Sequence, residues 1–447
     1  MPRPKISLLL TLDGAEPTIA TGGPGRIAAM VLNEFLHHPT EGIETSLAKR
    51  GGVLSGASLL HYINSYLDVS KQQGWPSTER RDMFDAMFLA TVARAAAQTF
   101  LRTGRWNAGK MAGRFAAKRH QGLSTCREWL RGSDGASVKV VHSHTTWGIL
   151  GAGDLRPECQ TIGSPILITT FHTKGSIVQD IGGMLHDCSK VRYLLWEQEK
   201  KAIAASDIIT FPSESAAALM AKEQPSVKDA DVRIVYNGVA AESISANAAL
   251  ARTGSSQKPF TIVNVAAHDR QKNIPDILVT LRELLKERPC QLIQIGTGAL
   301  TEELHSKAVD LGVSEHVQWM GKLSNIEVIR TVATSDVYLV ASDNVIFDLA
   351  TLEAMAAGVP VVVTRDGGNI ECITDGIEGY LVEVGSTRSM VNAIRSIWSN
   401  PLRAQQMAIV ASQRVKMQFS TGVMARKYAS MYEELCVAVD KRCCVES

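Results

Sequence analysis

Glu353 sits inside an apolar stretch, Phe347-Asp-Leu-Ala-Thr-Leu-Glu353-Ala-Met-Ala-Ala-Gly358-Val-Pro-Val-Val-Val-Thr364. The spacing of Leu349, Leu352 and Met355 predicts one apolar helix face, with Gly358 ending the helix and Pro360 opening a buried strand. Two readings of Glu353 follow. It is an exposed helix residue, or it is a carboxylate aimed at a polyol, accepting hydrogen bonds from two ribose hydroxyls. The N–H groups where this helix opens, around Phe347, Leu349 and Ala350, lack intrahelical acceptors and suit a phosphate. Downstream, Gly367-Gly368 falls between a strand and a short helix, as an ordinary turn or as a place where backbone approaches a ligand closely. His142 and His144 share a strand face by their i, i+2 spacing, a geometry a metal site can use. No third ligand is apparent, so no metal site is predicted. Ile295-Gly-Thr-Gly298 lacks the third glycine of a dinucleotide fingerprint, because Thr301 occupies that place. Neither a phosphate-loop motif nor a G-x-S-x-G motif occurs.

Positioning these groups requires elements. The run 6–12 reads as a first buried strand, followed by Ala20-Thr-Gly-Gly-Pro-Gly25 and a helical pattern over 26–35. Further strands are predicted at 138–142, 166–171, 207–211 and 232–236, with helices at 192–205 and 215–223. Residues from about 40 to 131 are predicted to form a helical insert, since 55–131 is rich in Ala, Leu, Met, Arg and Lys. Residues 242–259 read as a linker. The second half repeats the alternation, with strands at 260–266, 291–295, 317–319, 337–340 and 359–364. Its helices are predicted at 274–288, 300–311, 325–334, 349–357 and 387–400. Such alternation implies parallel sheets wrapped by helices. The expected organisation is an α/β protein: a first domain over 1–240, a linker over 241–258, and a second domain over 259–415. A C-terminal helix and tail, 416–447, is expected to pack back on the first domain. Ligands in such sheets bind outside the carboxyl ends of strands, so a cleft between the domains is the expected site.

The chain has 447 residues and a formal net charge of +2, so no strong global field recruits nucleic acid. Apolar residues make up 45%, charged residues 21%, and mean hydropathy is zero, a globular composition. No apolar run approaches the roughly 18 residues of a spanning helix. The apolar stretch near the N-terminus is too short for a signal peptide. The 8 cysteines are scattered and form no C-x-x-C pair. A soluble cytoplasmic protein is expected.

Taken in order, these segments resemble the GT-B glycosyltransferases, specifically the retaining glycosyltransferase family 4. Its pattern places E-x7-E before a glycine and a Pro-Val-Val strand, then G-G-x-x-E-x-I-x-D-G-x-x-G-x-L-V. The likeness extends through Ile295-Gly-Thr-Gly298, Val317-Gln-Trp-Met-Gly321 and Ser335-Asp-Val-Tyr-Leu-Val-Ala-Ser342, to Phe419-Ser and Tyr428…Met431-Tyr432-Glu-Glu-Leu. In the first half, His142-Ser-His144, Thr170-Phe-His172 and Val235-Tyr-Asn237-Gly238-Val239 also fit. The resemblance implies two Rossmann-like domains facing a cleft and a nucleotide-sugar donor held mainly by the second. Glu353 would bind the ribose, and Lys272 the donor phosphates. Gly22 and Gly23 would lie against the donor from the first domain, and His172 beside the reacting centre. Backbone at Met320 and Gly321 would contact the base. No metal or other cofactor is expected if Lys272 and helix termini carry the phosphate charge. Three positions depart from the pattern. Val345 replaces its first glutamate, Ala267 its phosphate-binding arginine, and Asp348 the glycine before Leu349. Arg270 is the candidate replacement cation.

The implied activity is transfer of a sugar from a nucleotide diphosphate to a hydroxyl acceptor, with the anomeric configuration kept. The alternative is a GT-B-like binding subunit that has lost catalysis and supports a partner transferase. Residues 101–131 hold 8 Lys or Arg against one acid, interleaved with Trp106, Phe115 and Trp129. That segment is a solvated helix face, or it attaches the protein to anionic lipid at the membrane inner face or to a polyanionic acceptor.

Overall fold

The computed structural model describes residues 6–11, 27, 30–31, 43–47, 129, 138–156, 165–180, 189–252, 259–343 and 345–445. Gly22, Gly23 and, apart from Trp129, the basic segment 101–131 lie outside the described residues. The chain divides into two compact units. The first comprises residues 1–212, 217–235 and 427–447, and the second 213–216 and 236–426.

The first unit holds a parallel sheet of β1 (Ile6–Thr11), β2 (Ile43–Leu47), β3 (Val138–Ser143), β4 (Ile166–Thr170), β5 (Ile208–Phe211) and β6 (Val232–Ile234). Their spatial order is β2-β1-β3-β4-β5-β6. Strands β1, β4 and β5 are mostly apolar, as expected of a parallel sheet whose faces are covered by helices. Helices Thr146–Leu155 and Ser189–Ala205 follow β3 and precede β5. Ile27, Met30 and Val31 are helical and buried, the i, i+3, i+4 face of the expected first helix.

The second unit holds β7 (Phe260–Val265), β8 (Cys290–Ile295), β9 (Val317–Gly321), β10 (Val337–Leu339), β11 (Val361–Thr364) and β12 (Tyr380–Val382). Their order is β12-β11-β10-β7-β8-β9, all parallel. Sequence order reverses between β7 and β10, and the loops leaving these two strands flank the crevice where such sheets bind ligands. The pleat divides the core into two layers. Val263, Val361 and Val363 pack with Leu352 and Met355 of helix Leu349–Ala356, whereas Ile262 and Val362 pack with Ile277 and Leu281 of helix Ile274–Leu285.

Three expectations are corrected. Residues 241–252 form helix Ala241–Arg252, where the composition predicts a linker. Alanine is the strongest helix former, and Ala241, Ile244 and Ala248 bury one face while Arg252 donates to the Ala333, Ala357 and Gly358 carbonyls. The helix therefore belongs to the second unit, and the units part at Val235 and Tyr236. The predicted helical insert contains strand β2, which pairs with β1, Ile6 opposite Ile43. The predicted strand list also omits β12, three residues whose run is too short to carry a periodic signal.

Candidate functional site

The chain leaves β7 at Ala266 and turns sharply before helix Ile274–Leu285. Residues Arg270–Lys272 form one 3-10 turn, and Asn273 ends it with φ 45° in the left-handed region. Asparagine tolerates that region because its short polar side chain bonds locally. Here its Nδ2 donates to the Ala341 carbonyl at 3.1 Å, and Asp343 N donates to Gln271 O at 3.0 Å. Two bonds thus tie the β7 loop to the β10 loop at the point where strand order reverses. Lys272 is half-buried and Arg270 exposed. Among the described residues neither has an ion-pair partner.

A second loop braces this turn. A Cβ on Gly296 would lie 2.0 Å from Ala266 O, and one on Gly298 would lie 2.5 Å from His268 O. The glycines of Ile295-Gly-Thr-Gly298 therefore let the β8 exit pack on the β7 exit. Buried His268 bonds Thr301 Oγ1 through Nδ1 at 2.8 Å.

Helix Leu349–Ala356 opens at the β10 exit. Glu353 is 7% exposed, which excludes the exposed-residue reading, and its Oε1 accepts from Asn325 Nδ2 at 3.3 Å. Asn325 begins helix Asn325–Ala333, fixed by a capping box between Ser324 and Glu327. Asp348 precedes the Leu349 helix, and its Oδ2 accepts from Thr351 Oγ1 at 2.6 Å. Val345 N donates to Asp366 Oδ2 at 2.9 Å. Phe347 is buried against Tyr236, with ring centroids 5.4 Å apart. Leu349 and Ala350 are half-buried.

The Gly367-Gly368 pair makes close approach to chain. A Cβ on Gly367, whose φ is 50°, would fall 1.6 Å from Val345 O, and one on Gly368 would fall 2.4 Å from Ile346 O. These glycines hold the β10 loop in place. Glu371, from the same motif, caps a helix: its carboxylate accepts from Glu214 N and Ser215 N, both at 2.9 Å. Met320 at the β9 exit is 41% exposed, and Gly321 takes φ 64° while its carbonyl accepts from Gly296 N at 2.8 Å.

Lys272, Arg270, Met320, Gly321, Phe347, Leu349, Ala350 and Glu353 therefore all leave the carboxyl edge of one sheet. This edge presents cations, helix-opening N–H groups and a buried carboxylate, the functions needed to hold an anionic group beside a diol.

His172 belongs to the first unit, just beyond β4, in a cluster that sequence spacing only half revealed. His142 Nδ1 lies 2.6 Å from Tyr432 Oη, and its Nε2 lies 2.7 Å from Thr170 Oγ1. Thr170 in turn bonds Thr210 Oγ1 at 2.6 Å. The His142 and His144 rings stack at 4.6 Å, those of His144 and His172 at 5.3 Å. Burial, with the repulsion of neighbouring imidazoles, holds His144 well below the usual histidine range and His142 at about 3. Burial brings His172 to about 4. All three are neutral at pH 7. Among the described residues no group of His, Cys, Asp or Glu is arranged to hold a metal ion.

The loop after His172 is clamped by two acids. Ser176 N donates to Glu223 Oε2 at 2.6 Å and Ile177 N to Glu199 Oε1 at 2.7 Å. Burial pushes Glu199 up to about 7, helped by the nearby Glu223 charge, against the bonds it accepts. Neither acid lies in a motif, so nothing in the sequence marked them.

Comparison with known proteins follows the same division. The family Glycosyl transferases group 1 matches residues 247–414, and Glycosyltransferase Family 4 matches residues 101–243. N-acetyl-alpha-D-glucosaminyl L-malate synthase of Bacillus anthracis is 26% identical over 282 residues, 62% of this chain and 70% of that protein. Glycogen synthase of Mycobacterium tuberculosis is 27% identical over 204 residues, 45% of this chain and 48% of that enzyme, so the match spans about half its length. Sucrose-phosphate synthase from Thermosynechococcus elongatus shares the fold with a TM-score of 0.67 and 15% identity, covering 97% of this chain and 100% of that one. Anabaena Alr3699/HepE, solved in complex with UDP, has a TM-score of 0.61 at 14% identity, covering 96% and 100%.

Proposed function

Because the chain belongs to the GT-B glycosyltransferases of the family 4 type, we propose that it moves a sugar from a nucleotide-diphosphate donor to a hydroxyl acceptor, keeping the anomeric configuration. The observation that carries this is the single sheet edge bearing buried Glu353 together with Lys272 and Arg270, neither of which has an ion-pair partner among the described residues. As the sugar leaves, negative charge grows on the diphosphate. Lys272, Arg270 and the N–H groups opening helix Leu349–Ala356 stabilise that charge more in the transition state than in the ground state. Glu353 accepts from the two ribose hydroxyls, with Asn325 fixing its carboxylate. In this reading Met320 and Gly321 are assigned to the base, Gly22 and Gly23 to the donor, and His172 to the reacting centre. The leaving phosphate takes the acceptor proton, so no dedicated base is needed. No metal enters this reading.

The acceptor is a glycan, a lipid-linked molecule or a small hydroxyl compound. The relatives' own names already span L-malate and phosphatidyl-myo-inositol. Among the described residues no helix is long and apolar enough to cross a membrane. Contact with an anionic membrane surface is assigned to residues 101–131. The alternative, a binding subunit without catalysis, rests on Val345, Ala267 and Asp348. One experiment separates the readings: a thermal-shift screen of nucleotide sugars, followed by nucleotide release with a hydroxyl acceptor. Stabilisation with release supports the enzyme, and stabilisation without release from any donor supports the subunit. Absence of any shift defeats both.

A further inference from the structure

His172 has two ring nitrogens, and which one carries the proton decides whether it gives or takes a hydrogen bond. Its Nε2 lies 3.0 Å from His144 Nδ1. Both imidazoles are neutral at pH 7, because burial penalises charge on each, and on His144 the neighbouring imidazoles add to it. One proton therefore lies between these two nitrogens, and it belongs to one ring or the other.

The far side of His144 decides the question. His144 is 1% exposed, and its Nε2 is sealed from solvent with no hydrogen-bond partner among the described residues. A proton on that nitrogen would leave a buried N–H unpaired, the more costly kind of orphan, whereas a bare acceptor lone pair is tolerated better. His144 therefore keeps its proton on Nδ1, facing His172. The partner nitrogen must then be bare, and neutral His172 carries its own proton on Nδ1. Nδ1 sits on a half-buried side chain, the ring edge turned away from His144. The titratable groups packed around the pair, His142, Tyr428 and Tyr432, are neutral and bring no charge that would reverse the assignment.

We propose that His144 is a positioning residue: by donating Nδ1–H to Nε2 of His172, it locks His172 as a neutral hydrogen-bond donor through Nδ1, and not as a base. The ligand this group takes is an oxygen acceptor, such as a sugar hydroxyl or a phosphoryl oxygen of the donor. The catalytic consequence rests on the proposed placement of His172 beside the reacting centre, while the tautomer itself does not.

The two parts are tested separately. Long-range 1H–15N correlation on the labelled protein, with His172 assigned through His172→Gln, should show a protonated-type Nδ1 and a bare-type Nε2. A proton on Nε2 of His172 overturns the tautomer lock, whatever the activity. In turnover, His144→Leu removes the donor and should lower kcat by about tenfold or more, the worth of one oriented hydrogen bond, with nucleotide Kd unchanged. His144→Asn places a carboxamide N–H near the position of Nδ1 and should recover most of that loss. Equal loss in the Leu and Asn variants overturns the positioning role. Wild-type turnover in His172→Gln overturns the placement of His172 at the reacting centre, and leaves the spectroscopic result standing.

Discussion

Burying a carboxylate on a helix of Leu, Ala and Met costs free energy unless something binds it, and Glu353 is 7% exposed on such a helix. Asn325 Nδ2 donates to its Oε1 at 3.3 Å and helps to orient the group. A charge-assisted contact to ribose hydroxyls is worth on the order of 1.5–3 kcal/mol. Glu353→Gln should therefore weaken nucleotide binding roughly tenfold or more with the fold intact. Calorimetry showing unchanged affinity would remove Glu353 from the site. Lys272 acts later, as charge grows on the leaving group, so Lys272→Ala should lower kcat more than it lowers stability. Arg270, exposed two residues earlier on the same 3-10 turn, should show a similar loss on change to Ala, and the double variant less than the product of the two. Wild-type rates in both single variants would sink the phosphate clamp. Glu353 and Lys272 stand out in the sequence because each lies in a motif whose spacing suggests chemistry, and the structure places both at the exits of neighbouring strands. Asn325, Glu371 and the acceptor side of His172 were not, because they act through partners 28 to 157 positions away in sequence.

At the scale of elements, the strand–helix alternation was readable wherever apolar runs were long, as in β7, β8 and β11 with their helices. It failed where two signals share one composition: Ala241–Arg252 is rich in Ala, Ser and Asn, a mixture that suits a linker until one face finds a core. The glycines of Gly367-Gly368 left two readings open in the sequence, a turn or a close approach to a ligand. Their freedom serves the packing of the Val345–Phe347 loop, and spacing alone cannot say whether chain or ligand fills the place a side chain would take. The clamp by Glu199 and Glu223 on the loop after His172 gives a pH test. Burial raises Glu199 from 4.5 to about 7, so the folded chain holds a proton that the unfolded chain releases above 4.5. This group's contribution to stability is thus fully present below 4.5 and is lost as pH rises through about 7. Glu199→Gln keeps an oxygen for Ile177 N and removes the titration. Its unfolding free energy should fall less than the wild type's between pH 5 and pH 8 in denaturant melts. Glu199→Ala orphans the Ile177 N–H and should destabilise by about 1–3 kcal/mol at either pH. Identical pH slopes in wild type and Glu199→Gln would show that the raised titration is absent.

For the whole molecule, the remaining question is how it meets its acceptor, and the charge distribution bears on this more than net charge does. A net charge of +2 over 447 residues hides a segment, 101–131, with 8 basic residues against one acid. The segment falls within the Glycosyltransferase Family 4 match over 101–243, while the sheet edge bearing Lys272 and Glu353 falls within the separate match over 247–414. Donor and acceptor functions should therefore be separable by mutation. Near an anionic surface each basic residue contributes about 1 kcal/mol, screened within roughly 10 Å at 0.1 M salt, and interleaved aromatics add interfacial anchoring. Changing Arg114, Lys118 and Arg119 to Glu reverses three charges. It should release the protein from vesicles containing anionic lipid at low salt, or raise the acceptor's apparent KM, with nucleotide affinity unchanged. Raising salt should mimic the vesicle effect in the wild type and do little to the triple variant. Wild-type protein that ignores anionic vesicles at low ionic strength, together with unaltered acceptor kinetics in the variant, would reduce the segment to a solvated helix face. A fall in nucleotide affinity would instead couple the segment to the donor site.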